Sequence, residues 1–200
     1  QPLPPGKVVL DLHLESLCVG DRTLARDIHM CVRAVEKVCI TGQNGVGKST
    51  LLRHIRDQLA AREDLTVFYM PQDPGDLLDM EKTPLEMLQR TGDREEQVRS
   101  AVALGSMKFT GEEMNHPCRG LSGGQKAKLM FLMMAFSGAN VLLLDEPTRN
   151  LSPLSGPVVR ELFAAYPGCI IAVSHDARFM EQVCTREECL TENGFSINRN

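Results

Sequence analysis

Apolar and polar residues alternate over residues 8–14, which predicts a half-buried strand. Residues 35–41 read as a second strand that runs into a glycine-rich turn. From 48 to 61 the period changes, with Leu51, Leu52, Ile55 and Leu59 forming a helical stripe. A short apolar run at 65–70 predicts another strand, stopped by Pro71. Between 73 and 120 the chain becomes charged and methionine-containing, with helical stretches at 84–90 and 94–104 broken by Gly and Pro. Ser122 opens a helix to about residue 136. Residues 141–145 and 169–173 are apolar strands with a helical segment between them. Strands apolar on both faces, alternating with helices, imply a parallel sheet covered on both sides. The expected fold is α/β, with an inserted helical subdomain over about 73–137.

Composition changes this picture little. With 200 residues, 42% of them hydrophobic and 24% charged, the chain suits one globular domain. Its longest apolar runs fall far short of the roughly 20 residues a bilayer span needs, so no membrane span of its own is expected. Residues 1–7 read as a linker or edge before a domain over 8–200. The opening lacks the charged and apolar regions of a signal peptide. Seven cysteines show no CxxC pair and no zinc spacing, and are read as reduced, structural and cytosolic. A net charge of −4, and the absence of Trp, argue against a broad basic face or an aromatic platform for nucleic acid.

Candidate chemistry begins at Gly42-Gln43-Asn44-Gly45-Val46-Gly47-Lys48-Ser49, which fits GxxxxGK[ST] between a strand and a helix. Glycines let successive N–H groups turn inward onto phosphate oxygens, and the helix N-terminus adds positive potential. Lys48 is placed for the β- and γ-phosphates, Ser49 for Mg²⁺, and Thr50 continues the nucleotide-binding run. These residues define a P-loop NTPase without choosing its class. Farther on, the strand at 141–145 ends in Asp145-Glu146. Asp145 suits Mg²⁺, and Glu146 suits the water that attacks the γ-phosphate.

Leu121-Ser122-Gly123-Gly124-Gln125 is a Ser-capped helix start with bare backbone donors. Together with the two motifs above, it makes the chain resemble the ABC ATPase family from about residue 8 to 195. The resemblance implies a P-loop NTPase fold with a mainly parallel sheet and an N-terminal antiparallel strand region. It also implies that Ser122, Gly123, Gly124 and Gln125 bind the γ-phosphate held by another domain's P-loop, so that ATP joins two domains head to tail. Gln72 matches the family's magnesium-sensing glutamine, and His175 the histidine that contacts the γ-phosphate. The implied cofactors are ATP and Mg²⁺.

Three positions depart from the family pattern. Ser152 stands where an Asp normally crosses the dimer interface. Val19 takes the place of the aromatic residue that stacks on adenine. The stretch from Lys48 to Gln72 is short, so the small antiparallel strand region there looks trimmed.

Ser174-His175-Asp176-Ala177-Arg178-Phe179-Met180, the 190–194 strand start, and Leu104-Gly105, Phe109 and Gly111-Glu112 resemble the ABC-F type. That type is cytoplasmic, carries two ATPase domains on one chain and acts on the ribosome; this would be its second domain. The competing reading is the ATPase of a membrane transporter, docked on a transmembrane subunit. A third is a nucleotide-gated binding module that barely hydrolyses ATP. Lys48 and Ser122 are too close in sequence for the long coiled coil of chromosome-organising ATPases.

Overall fold

The computed structural model describes residues 3–149, 151 and 155–196. The chain opens with an antiparallel hairpin of strands β1 (Val8–Val19) and β2 (Arg22–Arg33), turning at Gly20 in the left-handed region. Strand β1 runs past the expected 14, and β2, whose residues the hydropathy pattern did not mark, completes the antiparallel region that the resemblance implied. Its charged residues Arg22, Arg26, Asp27 and Arg33 lie on the open face, while Ile28, Met30 and Val32 turn inward. Leu3 is buried against the same core, so the opening segment packs on the domain it precedes.

Strand β3 begins at Lys37 rather than at 35 and ends at Thr41, because Val35 is an exposed residue in a left-handed turn (φ 66°). Helix α1 (Lys48–Ala60) buries Leu51, Leu52, Ile55 and Leu59. Strand β4 is Val67–Met70. Between β4 and the next strand the backbone holds only helices and turns: α2 (Pro84–Leu88), α3 (Arg94–Ser106), α4 (Gly111–Asn115) and α5 (Gly123–Ser137). Three of these four starts are closed by a reciprocal capping box, Thr83 with Glu86, Thr110 with Glu113 and Ser122 with Gln125. Each box satisfies two backbone donors that a helix start leaves open, which is how helices of five residues persist here.

The remaining elements are β5 (Val141–Asp145), α6 (Ser155–Ala165), β6 (Cys169–Val173), α7 (Ala177–Val183), β7 (Arg186–Thr191) and β8 (Gly194–Ser196). The main sheet has the order β4-β5-β6-β3-β7-β8, parallel except for β8. On β5 and β6, Val141, Leu143, Ile171 and Val173 face the core shared with α1 and the hairpin, and Leu142, Leu144, Ile170 and Ala172 face the opposite core. This two-sided burial explains why both strands are apolar throughout. Cys39 on β3 and Cys169 on β6 are buried as free thiols.

The second core is centred on Phe163, whose ring lies 5.8 Å from both Phe131 and Phe179 and ties α6 to α5 and α7. Phe163 is 1% exposed. Phe163→Ala should cost about 3–5 kcal/mol in denaturant unfolding. A loss under about 1 kcal/mol would place the packing centre of this face elsewhere.

Candidate nucleotide-binding site

The main sheet presents its chemistry at the carboxyl ends of its parallel strands, where open α/β sheets place ligands. After β3 the backbone loops so tightly that two glycines are required by contact. A Cβ on Gly42 (φ 133°) would fall 2.4 Å from the Leu190 carbonyl oxygen, and one on Gly47 (φ 104°) would press on Leu17 and Leu24. Lys48 Nζ folds back and donates to the carbonyl oxygens of Gly42 (2.8 Å) and Gln43 (2.9 Å). Burial lowers its pKa, while Glu146 and Asp145 hold it up.

Ser49 Oγ donates to Asp145 Oδ1 at 3.1 Å, joining the start of α1 to the end of β5. Asp145 is 3% exposed, and burial pushes its carboxyl pKa up against the opposing pull of the Ser49 hydroxyl, Arg53 and Lys48. A buried carboxylate with one hydroxyl donor gains from a nearby cation. Ser49, Asp145 and the Gln72 amide offer hard oxygen atoms that suit Mg²⁺ and leave positions for phosphate and water. Among the described residues no group of three or more His, Cys, Asp or Glu gathers as a metal centre.

Glu146 adopts φ 52°, a conformation that costs a non-glycine residue of order 1–3 kcal/mol. Its N–H donates to the Val173 carbonyl at 2.9 Å, which fixes that turn against β6. The carboxylate meets His175 twice: the His175 backbone N–H lies 3.4 Å from Oε2, and the ring Nε2 lies 3.6 Å from Oε1.

A cleft of about 570 Å³ gathers Asn44, Gly45, Gly47, Lys48, Ser49 and Thr50 from the P-loop side. The same cleft takes Gln72, Asp145, Glu146 and His175 from the other strand ends. Gln43 and Val46 line an adjoining hollow toward β7. Three lining residues were not singled out in the sequence, Leu24, Arg149 and Val173. Val19 lies at the hairpin tip, 54% exposed, and is not among the lining residues. Ser152 falls outside the described residues.

The Ser122-Gly123-Gly124-Gln125 helix start is not part of this cleft. Ser122 Oγ accepts from the Gln125 N–H (3.3 Å), Gln125 Oε1 accepts from the Ser122 N–H (2.9 Å), and Gln125 Nε2 donates to Glu113 (2.6 Å). A side chain on Gly123 or Gly124 would meet open space. The helix start is thus pre-formed and bare, and it lies outside the cleft lining.

A protein-family profile described as "ABC transporter" matches residues 25–149, more than half of the chain. The chain belongs to that family. It is an ABC ATPase domain, and its relatives include members of the F type. Residues of the ABC transporter F family member 5 of Arabidopsis thaliana are 31% identical over 191 positions, covering 90% of this chain and 27% of that protein. The ribosome protection protein VmlR of Bacillus subtilis is 30% identical, over 98% of this chain and 36% of that one. Human ATP-binding cassette sub-family F member 3 is 35% identical over 79% of this chain and 23% of its own length. The ABC domain therefore spans about a quarter to a third of these relatives. Among solved structures, the dimeric post-hydrolysis state of the ATP-binding cassette MJ0796 bound to ADP and Pi superposes with a TM-score of 0.77 at 19% identity. It covers 94% of this chain and 96% of that one, and shows the shared fold.

The lining around the P-loop contributes Leu24 but no aromatic ring. Base stacking on an aromatic is worth about 1–3 kcal/mol, and an aliphatic wall supplies none of it. ATP and GTP should therefore bind within about tenfold of each other, ~1.4 kcal/mol, in a titration of both nucleotides. A strong native preference for ATP would mean that a base contact outside this lining exists.

Proposed function

We propose that this ABC domain binds Mg-ATP in the cleft between Lys48 and His175 and hydrolyses it at a composite site closed by a second ABC domain. The carrying observation is the bare helix start at Ser122, pre-organised for an anion yet outside its own domain's cleft. The segment 73–137 acts as the inserted subdomain that presents it. In this reading, P-loop N–H groups and Lys48 bind the phosphates, and Lys48 exchanges its present carbonyl partners for phosphate oxygens. Ser49, Asp145 and Gln72 hold Mg²⁺, which supplies charge neutralisation on the β- and γ-phosphates when bound. Glu146 accepts the proton of the attacking water, and His175 holds that carboxylate in place. The Ser122, Gly123, Gly124 and Gln125 start of the partner domain closes over the γ-phosphate.

General-base assistance is worth about 10²–10⁴ in rate. Glu146→Gln should leave ATP binding near wild type and reduce turnover by that factor, read as phosphate release by the full-length protein. Unchanged turnover would move the base to another residue.

For the whole protein we infer a cytoplasmic ABC-F ATPase with two such domains, this one being the second, that acts on the ribosome. The reading is supported by the F-type names of its relatives, by VmlR's description as a ribosome protection protein, and by the share of each relative that this domain spans. No helix among the described residues is long and apolar enough to cross a membrane. The full-length Glu146→Gln protein should co-sediment with ribosomes in ATP and not in ADP. Recovery with membrane vesicles instead would favour a transporter ATPase bound to a transmembrane subunit.

A further inference from the structure

Arg149 is the one guanidinium, among the described residues, that lines the nucleotide cleft. The cleft has two flanks. One shares Leu24, Asn44 and Gly45 with the hollow beside β7, whose lining includes neither Asp145 nor Glu146. The other shares Ser49, Gln72, Asp145 and Arg149 with an adjoining polar pocket of about 600 Å³. Arg149 therefore stands at the pole where the terminal phosphate, the magnesium ligands and the catalytic carboxylate meet.

Its position is tied to that carboxylate. The Arg149 N–H donates to the Glu146 carbonyl at 3.1 Å, and the Glu146 N–H donates to Val173 at 2.9 Å, so one short turn carries both side chains. The charge balance at this pole gives the Arg149 cation a role. Asp145 and Glu146 add negative charge to that of a triphosphate, Lys48 is tied to the Gly42 and Gln43 carbonyls, and Arg53 lines the adjoining pocket but not the cleft. A guanidinium stays charged at any working pH and its fork matches two phosphate oxygens at once.

We propose that Arg149 is a further catalytic residue, its guanidinium binding the γ-phosphate oxygens of the nucleotide held by its own P-loop. The proposal rests on the hydrolysis reading above. Water oxygen bonds to the γ-phosphorus as the bond to the β–γ bridging oxygen breaks, and ADP leaves with that electron pair. The water proton passes to Glu146. Arg149 gains and loses no proton; it stabilises negative charge on the equatorial oxygens as the phosphoryl group transfers, where such a residue is most effective.

The test uses the full-length protein with R149M, R149K and R149A, measuring kcat and KM for ATP, and ATP Kd in the Glu146→Gln background. R149M should lower kcat by about 10-fold to 10³-fold, below or just reaching the roughly 10³–10⁵ that arginine fingers supply, with Kd within about threefold and the melting temperature unchanged. R149K should fall between, and added guanidinium below denaturing concentration should restore part of the R149A rate. An unaltered kcat in R149M, or a rate loss that tracks lost stability or lost dimer in light scattering without guanidinium rescue, overturns the proposal. Should R149M fail to fold, R149K and the rescue of R149A decide it. Absence of turnover in wild type, or full turnover in Glu146→Gln, would instead overturn the hydrolysis reading itself.

Discussion

The site depends on strand register. Val173 pairs with Ile40 of β3 on one side and with Asp145 of β5 on the other, so these three residues lie on one level across the sheet. The residues proposed for phosphate and water chemistry begin just beyond that level: the P-loop after Thr41, Glu146 after Asp145, His175 after Val173. Parallel pairing sets this level through backbone hydrogen bonds, and a one-residue slip would turn every side chain to the other face. The two cores enforce the register, because alternate residues of β5 and β6 are buried on opposite sides.

On that platform, local geometry is strained in a few places and secured in others. Glu146 sits in a left-handed turn held by the Val173 carbonyl, and the P-loop passes so near Leu190 that only glycine fits at 42. The Ser49–Asp145 contact spans β3 and β5 across β6, and it gathers the oxygen atoms suited to Mg²⁺ before any nucleotide arrives. The Ser122 helix start is equally pre-organised, with its capping box and the Glu113 contact on Gln125. Two pre-formed half-sites, only one of which lines the cleft, support the proposal of a site assembled between domains.

Much of this was legible in the sequence because the signals were local. GxxxxGKS, the apolar strand ending in Asp145-Glu146, and the Ser122 cap each mark an element boundary, and the structure places those boundaries there. Helix α1 kept its stripe, and β5 and β6 have the bounds that their apolar runs predict. What was hidden lay in long-range packing. Strand β2 escaped because its open face is charged, and its inward residues make sense only once β1 is beside it. Val35 looked like a strand residue, yet its left-handed turn exposes it. Leu24 and Arg149 carried no motif; their place in the cleft follows from hairpin packing and from the turn after Glu146, neither of which composition or period records.

The central claim is that the P-loop of one domain and the Ser122 helix start of another share one ATP. Light scattering of the full-length Glu146→Gln protein, with and without Mg-ATP, tests it together with Ser122→Arg added to that background. The composite site predicts that Mg-ATP brings the ABC domains into a compact closed form or dimer, that Ser122→Arg prevents this, and that ATP binding persists in both. Closure that survives Ser122→Arg, or loss of ATP binding together with closure, would contradict the account.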